Sequence, residues 1–306
     1  MPTCFAIQSE SACATLATSP PTRILRAAHL GMCFGVRDAI ALACREVAKG
    51  PLTVLGELVH NEAVLSDLRR RGVVVERDAA AVATPTVMIT AHGASQRAVI
   101  RMRGRGLHVL EATCPLVRYM QHCARELAAA GYHPVIVGHR DHVEVRGVTE
   151  DLTSFDVVLT PEDVERLAER PRFGVVAQTT QPIKKARWLA ALIRRRFPRS
   201  DVRFVDTVCQ PTKLRQAAAA KLARQSDVVI VIGGAQSNNT RELVATCRRF
   251  CGRVHHVQTP GDLQPEWFTN AAVAGITAGT STPNAMIDAV ESRARELADA
   301  LPPHSM

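Results

Sequence analysis

Glu111-Ala-Thr-Cys-Pro-Leu-Val-Arg-Tyr-Met120 joins an apolar run, Gly106-Leu-His-Val-Leu110, to an amphipathic run that reaches Gly131. Cys114 therefore falls where a strand hands over to a helix. Thr113 is placed to cap that helix, and Pro115 in its first turn lacks the donor that position leaves unused. A cysteine there faces the positive end of the helix dipole, which favours thiolate over thiol, the form that a soft metal or an iron–sulfur cluster binds. A single cysteine so placed is ordinarily a buried free thiol. Here the arrangement recurs.

Cys33 follows the strand-like Arg23-Ile-Leu-Arg and opens a helical run over 37–49; Cys209 follows Val202-Arg-Phe-Val and opens one over 210–225. The chain holds three copies of one plan, at a period of roughly 80–95 residues, which points to repeated α/β units. Strands alternating with helices imply parallel sheets. The expected organisation is a loose extension over 1–22, then α/β domains over 23–106, 107–200 and 201–306. In each copy the second strand ends in a polar cluster, with His60, His142 or Asn239. The last strand ends in another, with His92, Thr179 or Ser281. Ligands of open parallel sheets bind beyond the carboxyl ends of the strands, so all nine positions are expected on the functional edges.

Composition narrows the chemistry. The 306 residues carry a net charge of +9 with only 4 % aromatics, which argues against stacking platforms for nucleic acid. No apolar run approaches the length of a membrane span. Nine scattered cysteines are not a disulfide framework and fit metal binding or free thiols in a reducing, cytoplasmic setting. The arginine runs 69–71 and 194–196 read as solvated helix faces or as a field for an anionic partner. Residues 1–22 lack a signal peptide's basic start and apolar core.

Three thiolates meeting at one centre can hold zinc or three irons of a [4Fe–4S] cluster. Zinc sites favour short C-x-x-C pairs, and none occurs; distant single cysteines suit a cluster better. Three histidines at matched positions can bind phosphate oxygens when protonated. Glu144, two residues beyond His142 at the end of an expected strand, is the carboxylate placed to deliver protons. Glu57 and Glu62 flank His60 without a matched role.

These residues resemble the 4-hydroxy-3-methylbut-2-enyl diphosphate reductase (IspH/LytB) family. The matching stretches run in the family's order from residue 24 to about 295: Gly31-Met-Cys-Phe-Gly-Val, Val59-His-Asn, Ala91-His-Gly-Ala-Ser, Ala112-Thr-Cys-Pro-Leu-Val, Gly138-His through His142-Val-Glu-Val, Gln178-Thr-Thr, Asp206-Thr-Val-Cys, Gln236-Ser-Asn-Asn and Thr277-Ala-Gly-Thr-Ser-Thr-Pro. The resemblance implies a three-lobed, pseudo-threefold α/β protein around a central [4Fe–4S] cluster with one iron not ligated by cysteine. It implies an oxidoreductase that removes the hydroxyl of 4-hydroxy-3-methylbut-2-enyl diphosphate to give isopentenyl and dimethylallyl diphosphate, the last step of the methylerythritol phosphate pathway. Carried over by position, Cys33, Cys114 and Cys209 hold the cluster, and His60, His92, Ser237, Asn238, Asn239 and Ser281 hold the diphosphate. His142, Glu144 and Thr179 lie near the substrate hydroxyl. The implied electron donor is an acidic ferredoxin or flavodoxin, steered by Lys184, Lys185, Arg187 and Arg194 to Arg196.

The chain departs from the family pattern at Phe34, Glu111, Arg140-Asp141, Val143 and Asn238. A diverged paralogue acting on a related allylic diphosphate and a non-catalytic iron–sulfur sensor are the alternative readings. Quinolinate synthase and the diphthamide-forming enzyme share the three-cysteine plan but lack the His-Asn, Ala-His-Gly and Gln-Thr-Thr set.

Overall fold

The computed structural model describes residues 22–300; the expected extension lies outside them except for Thr22, whose hydroxyl donates to the Ala271 carbonyl at 2.8 Å. The chain opens with β1 (Arg23–Arg26) and α1 (Phe34–Val47), then β2 (Leu52–Leu55), α2 (Glu62–Arg70), β3 (Val74–Glu76), β4 (Thr86–Ile89), α3 (Gln96–Gly104) and β5 (His108–Glu111). It continues through α4 (Pro115–Ala129), β6 (His133–Val137), α5 (Val143–Thr149), β7 (Asp156–Val158), α6 (Pro161–Glu165), β8 (Arg172–Ala177), α7 (Ile183–Arg196) and β9 (Asp201–Phe204). The last third holds α8 (Gln210–Ala223), β10 (Val228–Ile232), α9 (Asn238–Arg248), β11 (Val254–Val257), β12 (Val273–Ala278) and α10 (Asn284–Asp299).

Three four-stranded parallel sheets result, with orders β3-β2-β4-β5, β7-β6-β8-β9 and β11-β10-β12-β1. The order is the same each time. The fourth strand is always the one that leads into a cysteine: β5 into Cys114, β9 into Cys209 and β1 into Cys33. The sheets are thus offset by one strand from the sequence repeat. The chain's first strand completes its last sheet, pairing Ile24 with Ala274 and Leu25 with Gly275. Such strands are covered by helices on both faces and are apolar throughout, as in Val-Val-Ile-Val-Ile of β10, which is wholly buried. Around it Phe268, Ile276 and Val290 form one core, while Val175, Leu189 and Ile193 serve the middle sheet and Leu52, Leu68 and Met88 the first.

Two helices escape the sequence reading. Helix α3 is announced by Ser95, whose hydroxyl accepts from the Ala98 amide at 3.0 Å, and by Ala98 and Met102 four residues apart on its buried face. Helix α5 replaces the strand end expected around Glu144. His142 caps it, its Nδ1 accepting from the Glu144 amide at 3.1 Å, so the carboxylate sits in a first helical turn. Thr113 is not the cap of α4: Cys114 is, with Pro115 at the first position.

Candidate active site

Each cysteine is the N-cap residue of its helix, and none of the three makes a side-chain cap hydrogen bond. The backbone holds all three alike. The amide of Cys33 donates to the Thr280 carbonyl at 3.2 Å, that of Cys114 to Ala91 at 3.1 Å, and that of Cys209 to Thr179 at 3.0 Å. Each bond ties the cysteine to the loop beyond the third strand of its sheet. This register also corrects the repeat match: the residues equivalent to His92 and Ser281 include Thr180, not Thr179.

The cysteines converge. Gly35, in the first turn of α1, approaches Cys114 so closely that an added Cβ would lie 2.8 Å from Sγ. Cys114 and Cys209 each feel the charge of Cys33 and of Glu144. Burial outweighs the helix dipole here: it pushes the Cys114 thiol up and the Cys209 thiol up to about 11. A soft cationic group would hold such thiols deprotonated. Among the described residues no three His, Cys, Asp or Glu side chains close round a single metal ion.

The polar residues gather beside them. The rings of His60 and His92 stack with centroids 5.0 Å apart, and His142 stands edge-on to both at 5.6 Å. His60 is oriented by Glu57, 3.2 Å from Nδ1, a partner the sequence did not assign. Burial opposes ionisation of Glu57, but hydrogen bonds from His60 and Arg77 still hold its carboxyl below the usual range. Gly234 presses against the His60 carbonyl so tightly that a methyl group would collide with it, and Ser281 Oγ donates to the same carbonyl at 3.4 Å. Ser237 caps α9, accepting from the Thr240 amide at 3.3 Å. Asn239 Oδ1 accepts from the Thr280 amide at 3.1 Å, and Asn238 Nδ2 reaches Thr180 Oγ1 at 2.9 Å. All six residues expected to hold a diphosphate are therefore brought toward one place.

That place contains buried polar atoms with no partner: His60 Nε2, His92 Nδ1, Asn238 Oδ1, Asn239 Nδ2 and Thr240 Oγ1. Folded proteins satisfy nearly all such atoms, so a cluster of five asks for a polar ligand. Burial, then the charges of His60 and His142, push His92 well below the usual histidine range; burial, then His60, His139 and Arg241, push His142 down to about 3. Burial and neighbouring charges thus disfavour the protonated form of both rings, the form expected to bind phosphate oxygens. Packing rings together out of water penalises the charge on these two, and an entering anion would reverse that penalty.

Glu144 is 1 % exposed. Its Oε1 accepts from the Thr179 amide at 2.6 Å, and its Oε2 pairs with Thr179 Oγ1 at 3.0 Å. Burial raises its carboxyl to about 7 despite these two stabilising bonds. It pairs with neither Arg140 nor Arg146, the surface role open to a carboxylate in that loop. A cavity of about 900 Å³ opens next to this cluster, with His60, His139, His142, Arg140, Arg146 and Arg241 in its wall. His139 and Arg241 went unassigned in the sequence; each is adjacent to a residue that was read, but neither fell in the repeat.

The LytB protein family matches residues 24–295. The 4-hydroxy-3-methylbut-2-enyl diphosphate reductase of Anaeromyxobacter sp. (strain Fw109-5) is 37 % identical over 87 % of this chain and 95 % of its own length. That of Aquifex aeolicus is 35 % identical over 90 % and 97 %. Among solved structures, an (E)-4-hydroxy-3-methyl-but-2-enyl diphosphate reductase, the terminal enzyme of the non-mevalonate pathway, aligns with TM-score 0.65 at 35 % identity, covering 90 % of this chain and 99 % of that one. The E-1-hydroxy-2-methyl-but-2-enyl-4-diphosphate reductase of Plasmodium falciparum aligns with TM-score 0.82 at 25 % identity, covering 88 % and 86 %. The fold, the order of the motifs and this similarity over nearly the whole described chain agree: the chain belongs to the LytB family of 4-hydroxy-3-methylbut-2-enyl diphosphate reductases.

Proposed function

We propose that this chain takes 4-hydroxy-3-methylbut-2-enyl diphosphate, two electrons and two protons to isopentenyl or dimethylallyl diphosphate and water, the last step of the methylerythritol phosphate pathway, in the cytoplasm. The observation that carries the reading is the buried Glu144–Thr179 pair standing within charge range of two of the three converging cysteines. Cys33, Cys114 and Cys209 would hold a [4Fe–4S] cluster with one iron free of cysteine. Such a cluster, when bound, supplies Lewis acidity and a path for electrons.

The chain's own residues do the rest. Diphosphate oxygens would take up the unpartnered His60, His92 and Asn239 nitrogens and the amides at the start of α9, where the dipole favours an anion. Anchored there, the substrate would extend its hydroxyl toward His142, Thr179 and Glu144. The departing hydroxyl needs one proton and the allylic carbon another. A carboxyl held at about 7 is half protonated near neutrality and can give and regain a proton. Thr179, bonded through both its amide and its hydroxyl, fixes the carboxyl's direction.

The electron donor would be an acidic ferredoxin or flavodoxin. Lys184, Lys185 and Arg187 lie at the start of α7, near the functional edge, whereas Arg194 to Arg196 lie at its far end. At about 1.5 Å per residue they are roughly 15 Å away along the axis, so steering would rest on the first group. No described helix is long and apolar enough to cross a membrane. The test is anaerobic purification with iron and sulfide analysis, then incubation with the substrate and a chemical reductant. Both hydrocarbon-tailed products should form; iron without turnover would favour the sensor reading.

A further inference from the structure

Among the described residues Glu144 and Arg215 are the charged residues that count as buried over the whole residue, the latter 7 % exposed. The mechanism above uses the first and leaves the second unexplained. Arg215 lies on α8, six residues past Cys209, and its guanidinium reaches the other cysteine segment. Nε and Nη2 both donate to the Gly31 carbonyl, at 3.0 and 2.6 Å, and Nη1 donates to Pro211 at 3.2 Å. Gly31 precedes Cys33 by two residues and has a φ of +75°. The fork therefore ties the loop that presents Cys33 to the helix that begins at Cys209.

Arg215 pairs with no carboxylate among the described residues. Burial works against its charge; the charges of Cys33 and Cys209 support it, and Arg37 opposes it. A guanidinium cannot shed its proton as a buried lysine would, so a sequence that buries one needs a counter-charge. Two thiolates can supply it.

We propose that Arg215 is a positioning residue of the metal centre, clamping the Cys33 loop onto α8 and supplying the fixed positive charge that raises the reduction potential of the group the cysteines hold. This rests on the cluster reading of the preceding section. Net charge near an iron–sulfur group is among the terms that set its potential, and a nearby cation favours the reduced form.

The test compares parent, Arg215→Met, Arg215→Gln, Arg215→Lys and Arg37→Gln, each purified anaerobically, assayed for iron and sulfide and titrated for midpoint potential by electron paramagnetic resonance. Arg215→Met and Arg215→Gln should shift the midpoint to lower potential, Arg215→Lys should shift it less, and the exposed Arg37→Gln least of all. Full iron content with an unchanged potential in Arg215→Met would overturn the proposal. Should Met and Gln both lose iron, retention by Arg215→Lys upholds the role of charge, and equal loss by Lys removes it. A parent without iron and sulfide would instead defeat the cluster reading, an outcome visible before any variant is made.

Discussion

The cysteine side and the polar side of the site are built by opposite rules. On the cysteine side the three units do one thing three times: a fourth parallel strand, an amide bonded to the neighbouring loop at 3.0–3.2 Å, then a helix opened by the thiol-bearing residue. On the polar side the units diverge. The residue capping the helix after the second strand is Asn61, His142 or Ser237, and the loop after the third carries His92, Thr180 or Ser281. Repetition makes a symmetric holder for one group, while the broken repeat supplies three histidines, an amide-rich helix start and a single buried carboxylate. Symmetric chemistry would leave no direction in which to orient an unsymmetrical substrate.

The comparison predicts that damage on the two sides differs in kind. Replacing Cys33, Cys114 or Cys209 by serine should each abolish the bound iron or make it labile, because every copy of the holder is needed. Cys247 and Cys251 are buried in an apolar cluster in the third unit and should tolerate serine with iron kept. Iron and sulfide analysis decides it, and a Cys114→Ser protein with a full complement would break the symmetry argument.

On the polar side, ligand binding should be coupled to protons. Burial first, and then the charge of His60 among others, disfavours the protonated form of His92 and His142, so a diphosphate entering among them should draw protons from solution at pH 7. Calorimetry in two buffers of different ionisation enthalpy measures this. Zero uptake would mean that the rings bind as neutral donors.

Glu144 gives a stability signature of definite sign. Its carboxyl rises from the ordinary 4.5 to about 7 on folding, so the folded state keeps a proton that the unfolded chain has lost. The benefit is complete below 4.5, falls as pH rises through about 7, and leaves a deficit on the order of 3 kcal/mol at higher pH. Glu144→Gln, which cannot ionise, should therefore gain on the parent between those values in denaturant titrations. A constant difference across that window would show that the carboxyl titrates normally.

The smallest effect concerns the surface. Rates with an acidic protein donor should fall as salt rises, while rates with a small reductant change little, since attraction between exposed charges is screened. Equal sensitivity would remove the steering role of Lys184, Lys185 and Arg187. The run 69–71 has no such role: Arg69 pairs with Glu62, and Arg70 and Arg71 with Asp67, a solvated helix face.

The cysteine side was almost wholly legible in the sequence, because each handover from strand to helix is local: an apolar run, a cysteine, then helical periodicity, with proline next in one case and one residue on in another. The exchange of the fourth strand between units was not legible, since β1 pairs with β12 across some 250 residues and nothing in Arg23-Ile-Leu-Arg names its neighbour. On the polar side the residue types were visible but their local structure was not. Helix α5 depends on His142 acting as a cap, a role more usual for Ser, Thr, Asp or Asn. Arg215 and Glu57 were passed over because their meaning lies in what they reach, the Gly31 carbonyl and the His60 ring, and not in a spacing.

The most direct test of the account is the turnover of Glu144→Gln against the parent, with a chemical reductant, in protein whose iron content and substrate affinity have been measured. Glutamine keeps the size and can still accept from Thr179 but gives no acidic proton. The account predicts full iron, retained substrate binding and turnover lower by about 10²-fold or more, the scale of general acid catalysis. Turnover within about threefold of the parent would contradict the proton-donor role and leave the buried Glu144–Thr179 pair as a structural bond.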